Sequence, residues 1–177
     1  MVNAPKTAPS LKLSQGLWGL AQGFALVGGG VLVAVVLLTG VSIVGRTLFN
    51  APIPGDVELV EVGCGIAIFA FLPYVHLRRG NVAVTVLTDR LPLPMRQGIE
   101  ALGDLLYGTI AAILTWRLAL GGLELRQYGE STFVLQVPLW WAFVPIVLSL
   151  ALLTCTCAYT LGHTCTGWLR RHSPGKS

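Results

Sequence analysis

LSQGLWGLAQGFALVGGGVLVAVVLLTGVSIVG, residues 13–45, runs from Lys12 to Arg46 without one charged side chain. About 20 apolar residues cross the hydrocarbon core of a bilayer as a helix, so this stretch spans it with room for tilt or an interfacial turn. A secretory signal peptide has an apolar region of only about 7 to 15 residues closed by a small-residue cleavage site. No such A-x-A site closes this run, and the reading is a retained first membrane helix.

The whole chain carries the same signature. Of 177 residues, 54% are hydrophobic and 11% charged, with a mean hydropathy of +0.71, whereas soluble domains hold about a quarter charged residues. The formal charge of +4 and the isoelectric point near 9.1 do not call for a nucleic-acid partner, because basic residues also set membrane topology.

Three further apolar runs follow. The second holds 14 residues between Glu61 and His76, so a full crossing extends to its flanking acids. The third has 12 residues between Asp104 and Arg117, so one or both of these lie at membrane depth and need a partner. The fourth is uncharged from Ser131 to Leu169, with Pro138 expected in its first turn and Pro145 as a kink. The expected architecture is therefore a single all-α integral membrane domain of four transmembrane helices, over about 17–44, 57–77, 101–123 and 136–162, with polar tails 1–12 and 170–177.

Basic residues orient it. Lys6, Lys12, Arg78, Arg79, Arg90, Arg96, Arg170, Arg171 and Lys176 all fall on one side of a four-span chain, leaving Arg46, Arg117 and Arg126 for the other. The positive-inside rule then puts both termini in the cytoplasm. Trp18 and Trp168 fall at inner ends and Trp116, Trp140 and Trp141 at outer ends, where amphipathic rings favour the headgroup region.

This topology sorts the charges into two layers. Near the outer face are Arg46, Asp56, Glu58, Glu61, Arg117, Glu124, Arg126 and Glu130; near the inner face are Arg78, Arg79, Asp89, Arg90, Arg96, Glu100 and Asp104. Glu58 and Glu61, three apart, share a helical face that Arg46 or Arg117 can meet, and Asp104 can meet Arg78 or Arg79. Arg117 and Asp104 are thirteen positions apart, roughly 20 Å along a helix, too far to pair. An ion- or proton-coupling site is one reading of these acids; interfacial ion pairs, favoured by positions near span ends, are the other.

Cofactor and enzyme chemistry lack support. A four-span thiol oxidase needs two exposed cysteine pairs on the oxidising face, but Cys64 is in the second span and Cys155, Cys157 and Cys165 lie along the fourth. Cys155 and Cys157 point to different sides of a helix, which favours neither a disulfide nor a shared metal. His76, His163 and His172 fall at span ends or in the tail, where they read as interfacial residues and not as haem ligands. No G-x-S-x-G, P-loop or H-E-x-x-H pattern occurs. Neither a cofactor nor an enzyme activity is expected.

Glycines are dense in the first span (Gly19, Gly23, Gly28, Gly29, Gly30) and recur as Gly63 and Gly65 in the second. They permit close approach of helices, within this chain or to another subunit. Between spans two and three, Asn81, Thr85, Thr88 and Asp89 fall on one helical face with Val82, Val84, Val86, Leu87 and Leu91 around the rest. The expectation is a short interfacial helix over about 81–91, since an isolated strand there has no pairing partner. The Leu91-Pro92-Leu93-Pro94 run ends it.

Several of these segments recur together in one family. Gly45-Arg46-Thr47-Leu48-Phe49-Asn50, Pro54-Gly55-Asp56-Val57-Glu58-Leu59, Arg78-Arg79-Gly80-Asn81-Val82-Ala83-Val84 running to Asp89-Arg90-Leu91-Pro92, and Gly129-Glu130-Ser131 before Val137-Pro138-Leu139-Trp140 resemble the small, DctQ-like membrane subunit of tripartite ATP-independent periplasmic (TRAP) transporters. Where the family often has His, this chain has Asn81, so no pH-sensitive role is expected there. The resemblance implies an inner-membrane scaffold without a transport path of its own. Its partners are a large membrane subunit carrying the substrate and sodium sites, and a periplasmic protein delivering an organic acid. It makes Arg46, Glu58, Arg78, Arg79 and Asp89 candidates for ordering the bundle or meeting the large subunit. A thiol oxidase and a self-sufficient small exporter are the competing classes.

Overall fold

A computed structural model describes residues 11–50, 53–78 and 93–172 of the chain. Its described elements are four helices: α1 (Leu11–Phe49), α2 (Asp56–Leu77), α3 (Leu93–Tyr128) and α4 (Trp140–His172). All four contain stretches long and apolar enough to cross a membrane: Gln15–Phe49, Asp56–Leu77, Ala101–Tyr128 and Trp140–Gly162. The expected interfacial helix at 81–91, with Arg79 and Asp89, lies outside the described residues.

Local chemistry sets the helix ends. Asn50 turns α1 off with φ 51°, a conformation Asn tolerates better than most residues. Pro54 and Gly55 form the turn into α2. Gly55 adopts φ 78° and its carbonyl accepts the Leu59 amide at 3.1 Å. A side chain at Gly55 would collide with Leu135, so this position needs glycine for both its dihedral and its space. Gly129 ends α3 at φ 66°, and the Glu130 amide reaches back to the Leu125 carbonyl at 3.2 Å, the hydrogen bond of a Schellman cap.

The helices pack as an open row and not as a closed bundle. α1 lies on α2, α2 on α4 and α4 on α3, while α1 barely touches α4. Burial follows the row: 28% of the apolar window is buried in α2 and α4 but 6% in α1 and α3. Small residues let the inner contacts close. Ala67 and Ala70 of α2 are buried against α1, and Gly28 comes so near that a Cβ there would sit 2.8 Å from the Ala70 Cβ. Gly63 is likewise filled over by Val35. Ala111 of α3 packs with Leu150, Leu153 and Cys157 of α4.

Pro73 lies inside α2. Proline has no amide hydrogen, so it frees the carbonyl four residues earlier, that of Phe69. The buried Ser149 hydroxyl of α4 donates to that carbonyl at 2.5 Å. The α2–α4 contact thus supplies the hydrogen bond that the proline removes.

Several boundaries differ from expectation, beginning with α1, which continues through Phe49 past the expected end near 44. α3 continues through Tyr128, past the expected end near 123. The fourth span starts at Trp140, so Pro138 lies outside it. Gln136 has φ 53° and Ser131 pairs with Pro138 in an antiparallel bridge. The Thr132 amide donates to the Val137 carbonyl at 3.0 Å and the Leu139 amide to the Glu130 carbonyl at 3.1 Å. Residues 130–139 are therefore a small hairpin, whose pairing excludes helix.

Candidate functional site

The polar side chains of the row gather at its two ends. At the Asp56 end, Ser42 and Arg46 of α1 are four apart and share a face. Ser42 is buried and its hydroxyl donates to Asp56 Oδ2 at 2.5 Å; the Arg46 guanidinium stands 3.5 Å from the same oxygen. Asp56 Oδ1 accepts the Val57 amide at 2.8 Å, which places the carboxylate on the positive end of the α2 dipole. One acid thereby closes the α1–α2 corner.

Glu58, half-buried on the first turn of α2, joins the same end to the hairpin. Its two carboxylate oxygens accept the backbone amides of Val134 at 2.8 Å and Leu135 at 3.1 Å. Leu135 then covers Gly55. The hairpin is braced internally by the Val137 amide donating to Thr132 Oγ1 at 3.1 Å. Since it connects α3 to α4, holding its tip on α2 fixes three helices in relation to each other.

At the other end the ties are rings and hydroxyls. His76 is buried, stacks on Tyr107 of α3 with centroids 5.5 Å apart, and its Nε2 lies 3.2 Å from Thr160 Oγ1 of α4. The Thr160 hydroxyl donates to the Cys157 carbonyl at 3.0 Å. Tyr74 receives Trp18 of α1 edge-on at 6.2 Å and the Arg78 guanidinium at 4.9 Å. A similar cation contact flanks the hairpin at the Asp56 end, where Arg126 lies 5.2 Å above the Trp140 ring.

This geometry revises several expected pairings. Arg46 meets Asp56 and not Glu58 or Glu61, because Glu58 turns to the hairpin amides; Glu61 is exposed and unpaired among the described residues. Arg117 reaches neither acid, since it is exposed on α3 and the α3 backbone does not pack on α2. Arg78 stacks on Tyr74 instead of pairing with Asp104, whose position shares the α4-facing stripe with Gly108 and Ala111. His76 is no interfacial anchor but a buried joint between three helices. Among the candidate glycines of the first span only Gly28 makes a close approach to the described residues. Gly29 has just the Phe71 ring edge at 3.9 Å, and Gly19, Gly23 and Gly30 meet nothing within 4 Å.

Ser42, Asp56 and the Val134–Leu135 amides were not among the expected site residues. Asp56 follows Pro54 and Gly55 at a helix start, a pattern that points to a cap. No sequence signal names backbone amides as ligands of a carboxylate 76 positions away. The described cysteines Cys64, Cys155 and Cys157 are free thiols, with Cys157 buried in the α3–α4 core.

Residues 35–166 match the family model described as tripartite ATP-independent periplasmic transporters, DctQ component. No curated protein matches the chain.

Proposed function

The chain belongs to the DctQ family, the small membrane component of tripartite ATP-independent periplasmic transporters, and from that premise we propose that it serves as a fixed, non-catalytic scaffold for the large transport subunit. Proteins of this family work beside a large membrane subunit and a periplasmic binding protein, which makes this a multi-pass inner-membrane transporter component. In the proposed system the large subunit takes up an organic acid with a sodium gradient, and both termini of the small subunit are cytoplasmic.

The observation that carries the scaffold reading is the double tie at the Asp56 end. Asp56 fastens α1 to α2, and Glu58 fastens α2 to the hairpin that joins α3 and α4. Charge-assisted hydrogen bonds are stronger and more directional than neutral ones, so they suit a part that keeps its shape while a partner moves. With the termini inside, this tied end faces the periplasm, where the hairpin stands beside the path of the binding protein.

Copurification from the native cell tests the reading. A tagged chain should bring down a large polytopic membrane protein. That pair, reconstituted in liposomes with the binding protein, should take up an organic acid when a sodium gradient is imposed. Uptake by this chain alone, or by the large subunit and binding protein at full rate without this chain, would refute the scaffold role.

A further inference from the structure

Arg117 stands level with the centre of α2, on a face the described residues leave open. Two contacts fix its height. Tyr107 of α3 is level with His76, one end of α2, through their ring stack. Arg117 lies ten residues further along α3, about 15 Å. Measured from the opposite end, Gly122 of α3 abuts Phe143 of α4, with a Cβ at Gly122 falling 3.1 Å from the Phe143 Cβ. Ala142, next to Phe143, lines a groove with Leu59, Val62 and Ile66 of α2. Arg117 is five residues, about 7.5 Å, from that level towards the centre.

Both routes bring Arg117 level with about Ile66 or Ala67. These are the central residues of α2, whose 22 residues span about 33 Å, close to the thickness of a hydrocarbon core. An extended arginine reaches roughly 7 Å from its Cα and falls well short of either headgroup layer. Arg117, grouped with the outer-layer charges by the linear order of the sequence, is thus level with the centre of α2 and not with its Asp56 end.

No carboxylate among the described residues pairs with it. Arg117 is exposed and makes no hydrogen bond or ion pair among the described residues. It continues a stripe of exposed apolar side chains, Leu106, Ile110, Ile113 and Leu120, at spacings that place all five on one side of α3, away from the Ala111 face that packs on α4. Glu124 on the same side is seven residues on, about 10 Å beyond. An unpaired cation facing acyl chains at this depth is costly, and such residues pair within a protein interior instead.

We infer that the Leu106–Leu120 side of α3 docks a membrane helix of the large subunit, and that this helix presents a carboxylate to Arg117 at mid-membrane. The inference rests on the scaffold reading and adds the surface and the charge that recognises it. The apolar residues above and below supply helix-to-helix packing, and the ion pair sets the register between subunits, because neither charge tolerates sliding into lipid.

The test uses the tagged chain coexpressed with its large subunit. Arg117→Leu strands the partner's acid and should cut the yield of copurified large subunit at least tenfold, whereas Arg117→Lys should keep most of it. The Arg117→Leu chain expressed alone should insert and melt as the parent does. Benzoylphenylalanine at Leu120 should crosslink to the large subunit. If the parent chain copurifies no large partner, the scaffold reading itself fails. If the parent complex forms, undiminished yield with Arg117→Leu overturns this inference alone. So does the absence of a crosslink from Leu120, or a loss of yield equalled by a loss of the isolated chain's stability.

Discussion

The two ends of the row are held by different chemistry. At the Asp56 end, carboxylates accept hydrogen bonds from a hydroxyl, a guanidinium and backbone amides, and the ties pass from α1 through α2 to the hairpin. At the His76 end, aromatic rings stack and His76 Nε2 shares a hydrogen bond with the Thr160 hydroxyl, which links α2 to α4. A charged acceptor fixes direction and distance, whereas stacked rings tolerate sliding of a fraction of an ångström at small cost. The Asp56 end therefore sets the geometry of the row and the His76 end fills it.

Removing Glu58 is the strongest way to break that contrast. Glu58→Ala strips both acceptors from the Val134 and Leu135 amides and leaves the hairpin attached mainly by Leu135 over Gly55. The expected result is a large fall in melting temperature in detergent and rapid proteolysis within residues 130–139. Glu58→Gln, with one carbonyl oxygen to offer, should fall between the two. A hairpin that stays protected in Glu58→Ala would mean that apolar packing, and not the carboxylate, holds the end together.

At the corner of α1 and α2 the contrast sharpens within one carboxylate. Ser42 is buried and 2.5 Å from Asp56, while Arg46 is 3.5 Å away with a side chain 62% exposed. Ser42→Ala should therefore lower thermal stability more than Arg46→Ala, because a solvent-screened pair contributes little. Added salt should narrow the Arg46→Ala difference and leave the Ser42→Ala difference in place. The reverse order would make the guanidinium the principal partner. At the opposite end, His76→Phe preserves a ring for Tyr107 and removes the contact with Thr160. It should cost about 1 kcal/mol, the range found for hydrogen bonds between membrane helices, read as a small shift in thermal unfolding.

Helix identity was legible in the sequence because a span needs only length and the absence of charge, and both can be counted. Residues 13–45 show this best. Depth was less legible. Arg117 sits at the end of a short apolar run, which suggested a boundary, but α3 has 36 residues and slides along α4 until Gly122 meets Phe143. That register is a tertiary fact. The partners of Glu58 were hidden for a related reason, since every residue offers a backbone amide and only the fold of 130–139 aims two of them at one acid. Gly28 and Gly30 look alike in sequence, yet only the first faces Ala70, because two residues rotate a helix by roughly 200° and put them on opposite sides.

The smallest expected effect lies between the two ends, at Pro73 and Ser149. Ser149→Ala leaves the Phe69 carbonyl without the hydroxyl that replaces its missing helical donor, at a cost of about 1 kcal/mol. Pro73→Ala restores an amide hydrogen four residues on, so the same carbonyl can be satisfied within α2. In that background Ser149→Ala should cost close to nothing, and a double-mutant cycle of thermal unfolding should show the two positions coupled by most of the single-mutant loss. Independent, additive effects would mean that Ser149 serves only as a small residue at the α2–α4 contact. Coupling would mean that α2 carries its proline because α4 stands beside it, which makes the central contact specific in a way that neither the charged nor the aromatic end provides.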